Sequence, residues 1–547
     1  MVSRSRSHRV VFGLVMGLTA IAGGGPLFAA HGSAAAVTRY PAGITGVSSP
    51  VHGQTTAATR APAGIVRGVR SRPRTGGGTS AALRRPTATA AKVRTKTSLL
   101  HNFNGVSSRD SAVTNYGQEF EPPDQGLCVG NNFVLESVNS AYTVYRPDGT
   151  SVAGPFNVND LYNEGAIEFT SDPRCYFDPT THTWFATILF ISGGESAAGN
   201  TSHLDVAVNP TGDPTTVWTE YQFDTTDKGG NGCPCFGDQP TLGIDHNNLY
   251  VTTDEFSILG PQFNGAQIYA FSKADMRAAK PAHFVHFSHL DIGGTMASTV
   301  QPAITTGAAS AEFFMNSLDP NLTFDDRLGV WALTNGQAVA TGHSPTLSSI
   351  VITSEIYGVP PGAQQKGAKS LLDSGDDRMQ QTQFINGRLW GEMTTAITIP
   401  NDPAERAAAG WFDVNPTLSG ALIGGATIAH QGYVADPGSY VIYPALQSDA
   451  AGNVVMVFTD TGSARFASAA YAALGAGQSQ FGAINIAAAG SGPYDRKATR
   501  WGDYSWAVLD PTADAVWLAT EYMPPPASQT PDRLRNWGTE VLEVGVS

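Results

Sequence analysis

No acidic residue occurs before Asp110 in this chain of 547 residues, although 46 follow from there on. Of the 33 lysines and arginines, 15 fall at or before Arg109, which leaves 18 basic residues against every acidic one in the remainder. An acidic body excludes nucleic acid as its main ligand, because phosphate binding needs a positive footprint. The basic lead could instead tether the protein to anionic wall polymers or lipid surfaces.

Long apolar runs are also scarce. After the opening segment, none reaches the roughly 18 consecutive apolar residues of a membrane span, so no transmembrane segment is expected. The opening reads "MVSRSRSHR", a basic region, then "VVFGLVMGLTAIAGGGPLF", an apolar region broken by Gly23-Gly24-Gly25-Pro26. Small residues from Ser33 to Ala36 follow. That pattern predicts a secretory signal peptide over 1–36 and a secreted, extracellular product. From Val37 to Ser98 the composition is Ala, Thr, Gly, Pro, Ser and Arg with almost no aromatic residue. It offers too little apolar surface to offset chain entropy, which predicts a disordered basic linker over 37–98.

Cysteine is limited to Cys128, Cys175, Cys233 and Cys235. An even number in an exported chain favours disulfides. Cys233-Pro-Cys235 reads as a tight local bridge or a redox pair. Zinc would need further ligands at its usual spacing, so no metal site is assigned. "DTTDKGGNG" (Asp224 to Gly232) and "DSGDDR" (Asp373 to Arg378) gather carboxylates and glycines that could hold Ca²⁺, but neither has EF-hand spacing. No Gly-x-Ser-x-Gly stands at a strand-to-helix elbow, so a serine hydrolase has no support.

Helical periodicity is scarce after residue 100. Short alternating runs between Gly, Pro, Asn and Asp dominate, the mark of an all-β chain. A hairpin recurs within them. A polar or phenolic head residue stands six positions before a turn, and a strongly β-prone run follows. The heads are Asp124 in "DQGLCVG", Asp172 in "DPRCYFD", Gln239 in "QPTLGID", Gln301 in "QPAITTG", Gln380 in "QQTQFIN", Tyr443 in "YPALQSD" and Tyr504. Seven such units over 99–547, averaging roughly 60 residues, predict a seven-bladed β-propeller, with six or eight blades as alternatives. "TEVLEVGVS" at the C-terminus could complete a blade begun near "LLHNFNGV", which would close the ring and remove exposed edges.

In a propeller the first strand of each blade lines the central channel. The seven heads should then converge at one mouth, with Arg174, Asp238, Arg378, Arg500 and Asp503 beside them. Cys128 and Cys175 follow their heads by four and three residues on successive units, which places them on adjacent inner strands and makes them the preferred pair. A ring of Asp, Gln, Tyr and Arg suits a polyhydroxylated ligand. Catalysis is open as well. Glycoside cleavage ordinarily uses two carboxyls about 5 to 9.5 Å apart, and Asp124, Asp172, Asp238 and Asp503 are candidates. Tyr504 with Glu521 could form a carboxylate-activated phenol. Any of these polar heads could instead serve only to satisfy backbone groups between blades.

The segments "EPPDQGLCVGNNFVLESVN", "GDQPTLGIDHNNLYVTTDEF" and "RWGDYSWAVLDPTADAVWLATEY" resemble those of secreted bacterial β-propellers of uncharacterised function. More distantly, the chain is similar to the sialidase-like (BNR-repeat) superfamily, whose propellers carry an arginine triad, a Tyr–Glu pair and an acidic residue. The Ser-x-Asp-x-Gly-x-Thr-Trp boxes of that superfamily do not occur here. Three functions follow as expectations. The first is binding of an extracellular glycan or cell-surface polymer at the channel mouth by a monomer. The others are a glycoside hydrolase or lyase using the same ring, and a protein-interaction scaffold.

Overall fold

The computed structural model describes residues 36–51, 65–67, 86–87, 95–117, 119–165, 168–192, 201–227, 229–318, 324–494, 500–525 and 536–547. Residues 1–35 of the expected signal peptide lie outside them. The described body from Ala36 to Ser547 is one compact unit, and it is all-β with two short α-helices. Among the described residues no helix is long and apolar enough to cross a membrane.

Seven antiparallel four-stranded units follow one another along the chain. Their first strands are Gly126–Gly130, Phe169–Asp178, Cys235–Ile244, Gln301–Thr305, Met379–Ile385, Ser439–Ser448 and Trp506–Leu509. Each first strand turns back into the next through a tight loop. Asn131-Asn132 and Asn386-Gly387 hold φ of 48° and 63°, and of 53° and 78°. Two successive positive φ values make the hairpin turn whose twist matches that of the strands, and Asn and Gly tolerate them best.

The first strands also touch in sequence around a closed circuit, the seventh against the first. Those of units three, four and five even pair in parallel, Ile244 with Ile304 and Ala303 with Thr382. Unit seven takes its fourth strand from the other end of the chain. Thr97–Ser107 pairs antiparallel with Gly538–Val546 from Thr97↔Val546 to Ser107↔Gly538. The disulfide Cys128–Cys175 joins the first strands of units one and two with Cα atoms 5.3 Å apart, and Cys233–Cys235 is a local bridge.

Within the 37–98 segment expected to be disordered, residues 37–51 are ordered and carry three short strands. Thr38–Arg39, Ile44–Ser48 and Pro50–Val51 add a fifth strand to units four, three and two in turn. The composition misled because edge pairing satisfies backbone N–H and C=O groups without needing apolar side chains. One aromatic anchor suffices. Tyr40 stacks on Trp331 at 5.0 Å, and its hydroxyl donates to Asp291 O at 2.7 Å.

The seam that joins the two chain ends encloses carboxyls. Glu136 accepts from the Val106 amide at 2.8 Å, and burial raises it to about 7. Burial raises Glu540, on the C-terminal strand, to about 8. Both folded values exceed the ordinary one, so the fold favours the protonated acids. Their contribution is complete below the unfolded value near 4.5 and is lost as pH rises through 7 to 8. We therefore expect the thermal midpoint to fall between pH 5 and pH 9, and Glu136→Gln with Glu540→Gln to flatten that fall. An unchanged pH slope in the double variant would show that these carboxyls are not responsible.

Candidate functional site

Four of the seven head residues sit where their first strand is distorted. The strand register shifts at Ser171/Arg174, Asp238/Thr241, Met379/Gln381 and Ile442/Ala445. Asp172, Gln239 and Tyr443 hold φ of 60°, 49° and 52°, and each precedes a proline. A bulge leaves one residue out of the ladder, and proline fits there because it has no N–H to offer. A left-handed conformation costs a residue with a side chain about 1 to 2 kcal/mol, so neighbours must hold it. The Asp172 amide donates to Asn139 Oδ1 at 2.7 Å, the Gln239 amide to Asp172 Oδ2 at 3.1 Å and the Tyr443 amide to Thr394 Oγ1 at 3.0 Å. In each case the acceptor belongs to the preceding unit, so the bulges are tied from unit to unit.

All seven heads are buried. Asp124 is hydrogen-bonded to Asp172, and Asn139 Nδ2 donates to its Oδ2 at 2.7 Å. Burial raises the Asp124 carboxyl well above the usual range, and Asp503 and Asp172 add to the effect. Asp238 is raised for the same first reason, with Asp172 reinforcing it and Arg378 opposing. Asp503 stands further out, its side chain about a third exposed and paired with Arg500. Desolvation and the carboxylates of Asp373 and Asp172 raise it to about 7 against the opposing pull of Arg500.

Arg174 is wholly buried. Its Nε donates to Pro240 O at 3.1 Å, and its guanidinium lies 3.1 Å over the Tyr504 ring and 4.7 Å over Trp506. It thus reaches from unit two past unit one to unit seven. Gln381 of unit five crosses to unit seven as well, exchanging two hydrogen bonds with the Ala507 backbone at 2.8 and 3.1 Å. These crossings fill the space between the first strands below the mouth. At the rim, Arg378 is held by Asp376 at 2.6 and 2.7 Å and donates to Gln239. Arg500 also lies 4.0 Å from Asp373.

The ring therefore brings together Asp124, Asp172, Arg174, Asp238, Gln239, Arg378, Tyr443, Arg500, Asp503 and Tyr504, linked by the hydrogen bonds and mutual charge effects above. Of the other two heads, one bridges neighbouring units and one lies buried with its Oε1 unpartnered. Gln301 donates to Met379 O at 2.9 Å, bridging units four and five, and Gln380 lies buried on the bulge of unit five. The expected Tyr504–Glu521 pair is not formed as such. Glu521 accepts from the Gly502 amide at 2.6 Å and acts on Tyr443, whereas Tyr504 faces Arg174.

Several buried polar atoms of the ring have no partner: Asp124 Oδ1, Arg174 Nη1 and Nη2, Tyr443 Oη and Tyr504 Oη. Atoms in that condition are rare in folded proteins and mark places where water or a ligand is accommodated. The hairpin count missed Asp373 and Asp376, which complete the rim. Their segment, "DSGDDR", stood out only as a candidate Ca²⁺ loop, and its carboxylates engage Arg378 and Arg500 instead.

No family model and no curated protein matches the chain. Solved structures are similar at a low level. The N-terminal domain of Nup159 is 10% identical with a TM-score of 0.35, over 85% of this chain and 100% of that one. The parainfluenza virus 5 hemagglutinin-neuraminidase ectodomain is 9% identical with a TM-score of 0.34, over 69% and 82%. The sialidase of Trypanosoma rangeli with the inhibitor DANA is 11% identical with a TM-score of 0.33, over 73% of this chain and 57% of that one. At these scores nothing that those proteins bind or cleave passes to this chain.

Arg174 offers a test of the ring's electrostatics. Arg174→Met keeps the bulk but removes the bond to Pro240 O and the cation held over Tyr504 and Trp506, a charged hydrogen bond of about 1.5 to 3 kcal/mol and a desolvated cation–π contact of about 2 kcal/mol. Denaturant unfolding of the variant should show a loss of that order. A loss below about 1 kcal/mol, the scale of an exposed ion pair, would mean that the guanidinium is only filler.

Proposed function

We propose that the seven units are the blades of a seven-bladed β-propeller and that its charged mouth binds an extracellular carbohydrate or cell-surface polymer. The chain is exported and acts as a monomer. The reading rests on one observation above the others: donors and acceptors of four head or neighbouring residues, all buried, lie unpartnered beneath a rim that stays partly open. Arg378, Arg500 and Asp503 at that rim offer charge-assisted hydrogen bonds to hydroxyl and carboxylate groups. The crossings of Arg174 and Gln381 leave a mouth and not a tunnel, so a chain end or a single sugar unit fits better than a threaded polymer. A scaffold role remains the plainest account of the filled interior, but it gives no reason for the unpartnered atoms.

A second reading, a glycoside hydrolase or lyase, draws on Asp503. A carboxyl raised to about 7 at a partly open rim is roughly half protonated at neutral pH and suits a general acid. Activity through it would be present below about pH 7 and lost above.

Arg500→Ala combined with Asp503→Ala removes both members of the rim pair. The double variant should lose glycan-array binding while keeping its circular dichroism spectrum and cooperative melting. Binding equal to the parent protein would reject the mouth as the site. Parallel glycosidase substrates separate the two readings, since turnover abolished by Asp503→Asn, with an alkaline limb near pH 7 in the parent, selects the enzyme.

A further inference from the structure

Away from the mouth, the outer half of unit two carries a second cluster. Its third strand, Thr201–Asn209, places His203 and Asp205 two residues apart and so on one face. Glu164 joins them from the segment that connects unit one to unit two. One ligating atom from each of the three lies within 4.8 Å of the others. His203 Nδ1 is 2.7 Å from Asp205 Oδ1, and Nε2 is 3.8 Å from Glu164 Oε1.

The surroundings are built like a binding site. The Phe190 ring stacks flat on His203 at 4.0 Å and fixes the imidazole plane. Gln222 Nε2 donates to Glu164 Oε1 at 2.6 Å and orients that carboxylate. Asp205 is 1% exposed, yet its Oδ2 has no partner. Glu220 brings a further carboxyl to bear on Asp205. Carboxyls gathered around one imidazole, with a buried oxygen unsatisfied, form an arrangement that a cation relieves.

We propose that Glu164, His203 and Asp205 bind one divalent transition-metal ion of the Zn²⁺ class. One imidazole nitrogen and two carboxylates match borderline cations, whereas Ca²⁺ takes oxygen ligands. Ligand bonds of about 2.0 to 2.2 Å require the three ligating atoms, which lie within 4.8 Å of one another, to close around a single imidazole nitrogen. The ion clamps the connecting segment at Glu164 to the third strand of unit two, so its effect is on rigidity. Hydrogen-bonded locking of each ligand from outside is the usual companion of such sites, and Gln222 supplies it for Glu164.

The full chain, stripped with a chelator and kept free of reductant, is titrated with Zn²⁺ and separately with Ca²⁺ by calorimetry. Without reductant Cys233 and Cys235 stay joined and offer no thiolate. The expected result is one Zn²⁺ per chain, a raised thermal midpoint and no comparable Ca²⁺ heat. His203→Ala should abolish this binding, and Glu164→Gln should weaken it by roughly tenfold or more. Glu164 lies in a connecting segment, so its variant keeps the test valid should a strand substitution unfold the unit. Absence of stoichiometric Zn²⁺ binding, equal binding in both variants, or equal affinity for Ca²⁺ would overturn the proposal.

Discussion

The antiparallel pairing of Thr97–Ser107 with Gly538–Val546 is the constraint on which the rest of the architecture depends. It brings a strand that precedes unit one onto the last strand of unit seven. Without it, Gly538–Val546 would present a row of unpaired N–H and C=O groups, and the seventh unit would have an open edge. With it, the circuit of first strands closes, and a side chain on unit two can meet a ring on unit seven. Arg174 over Tyr504 is such a contact.

Closure explains why charge collects at the mouth. Bulges at Asp172, Gln239 and Tyr443 take these residues out of their ladders, and amides freed there are satisfied by the neighbouring unit. The same side chains therefore hold the ring together and furnish its polar surface. From the sequence each head could be read as either structural or functional, and these bonds show the structural part. Gln301 proves structural, and the Asp124–Asp172 pair is both a bond between units and a carboxyl cluster with an oxygen to spare.

The periodic part of the fold was legible because it repeats. A head residue, often with proline next, and a turn six positions later recur through 124–510, and the structure has a first strand at each. The Cys128–Cys175 bridge followed from the same count. Residues 36–51 were opaque for a physical reason: edge strands bond through the backbone, and "ITGVS" carries no periodic apolar pattern. The partners Asp373 and Asn139 were hidden because contacts between units join positions with no fixed spacing. Glu164, His203 and Asp205 share that difficulty, since two lie on a strand and the third in a connection.

Native-state hydrogen exchange across the seam tests ring closure most directly. Amides of Thr97–Ser107 should exchange as slowly as those of Gly538–Val546, both at the rate set by global unfolding. Exchange of Thr97–Ser107 at the rate of a free terminus, with the remainder still protected, would contradict a ring closed by its own two ends.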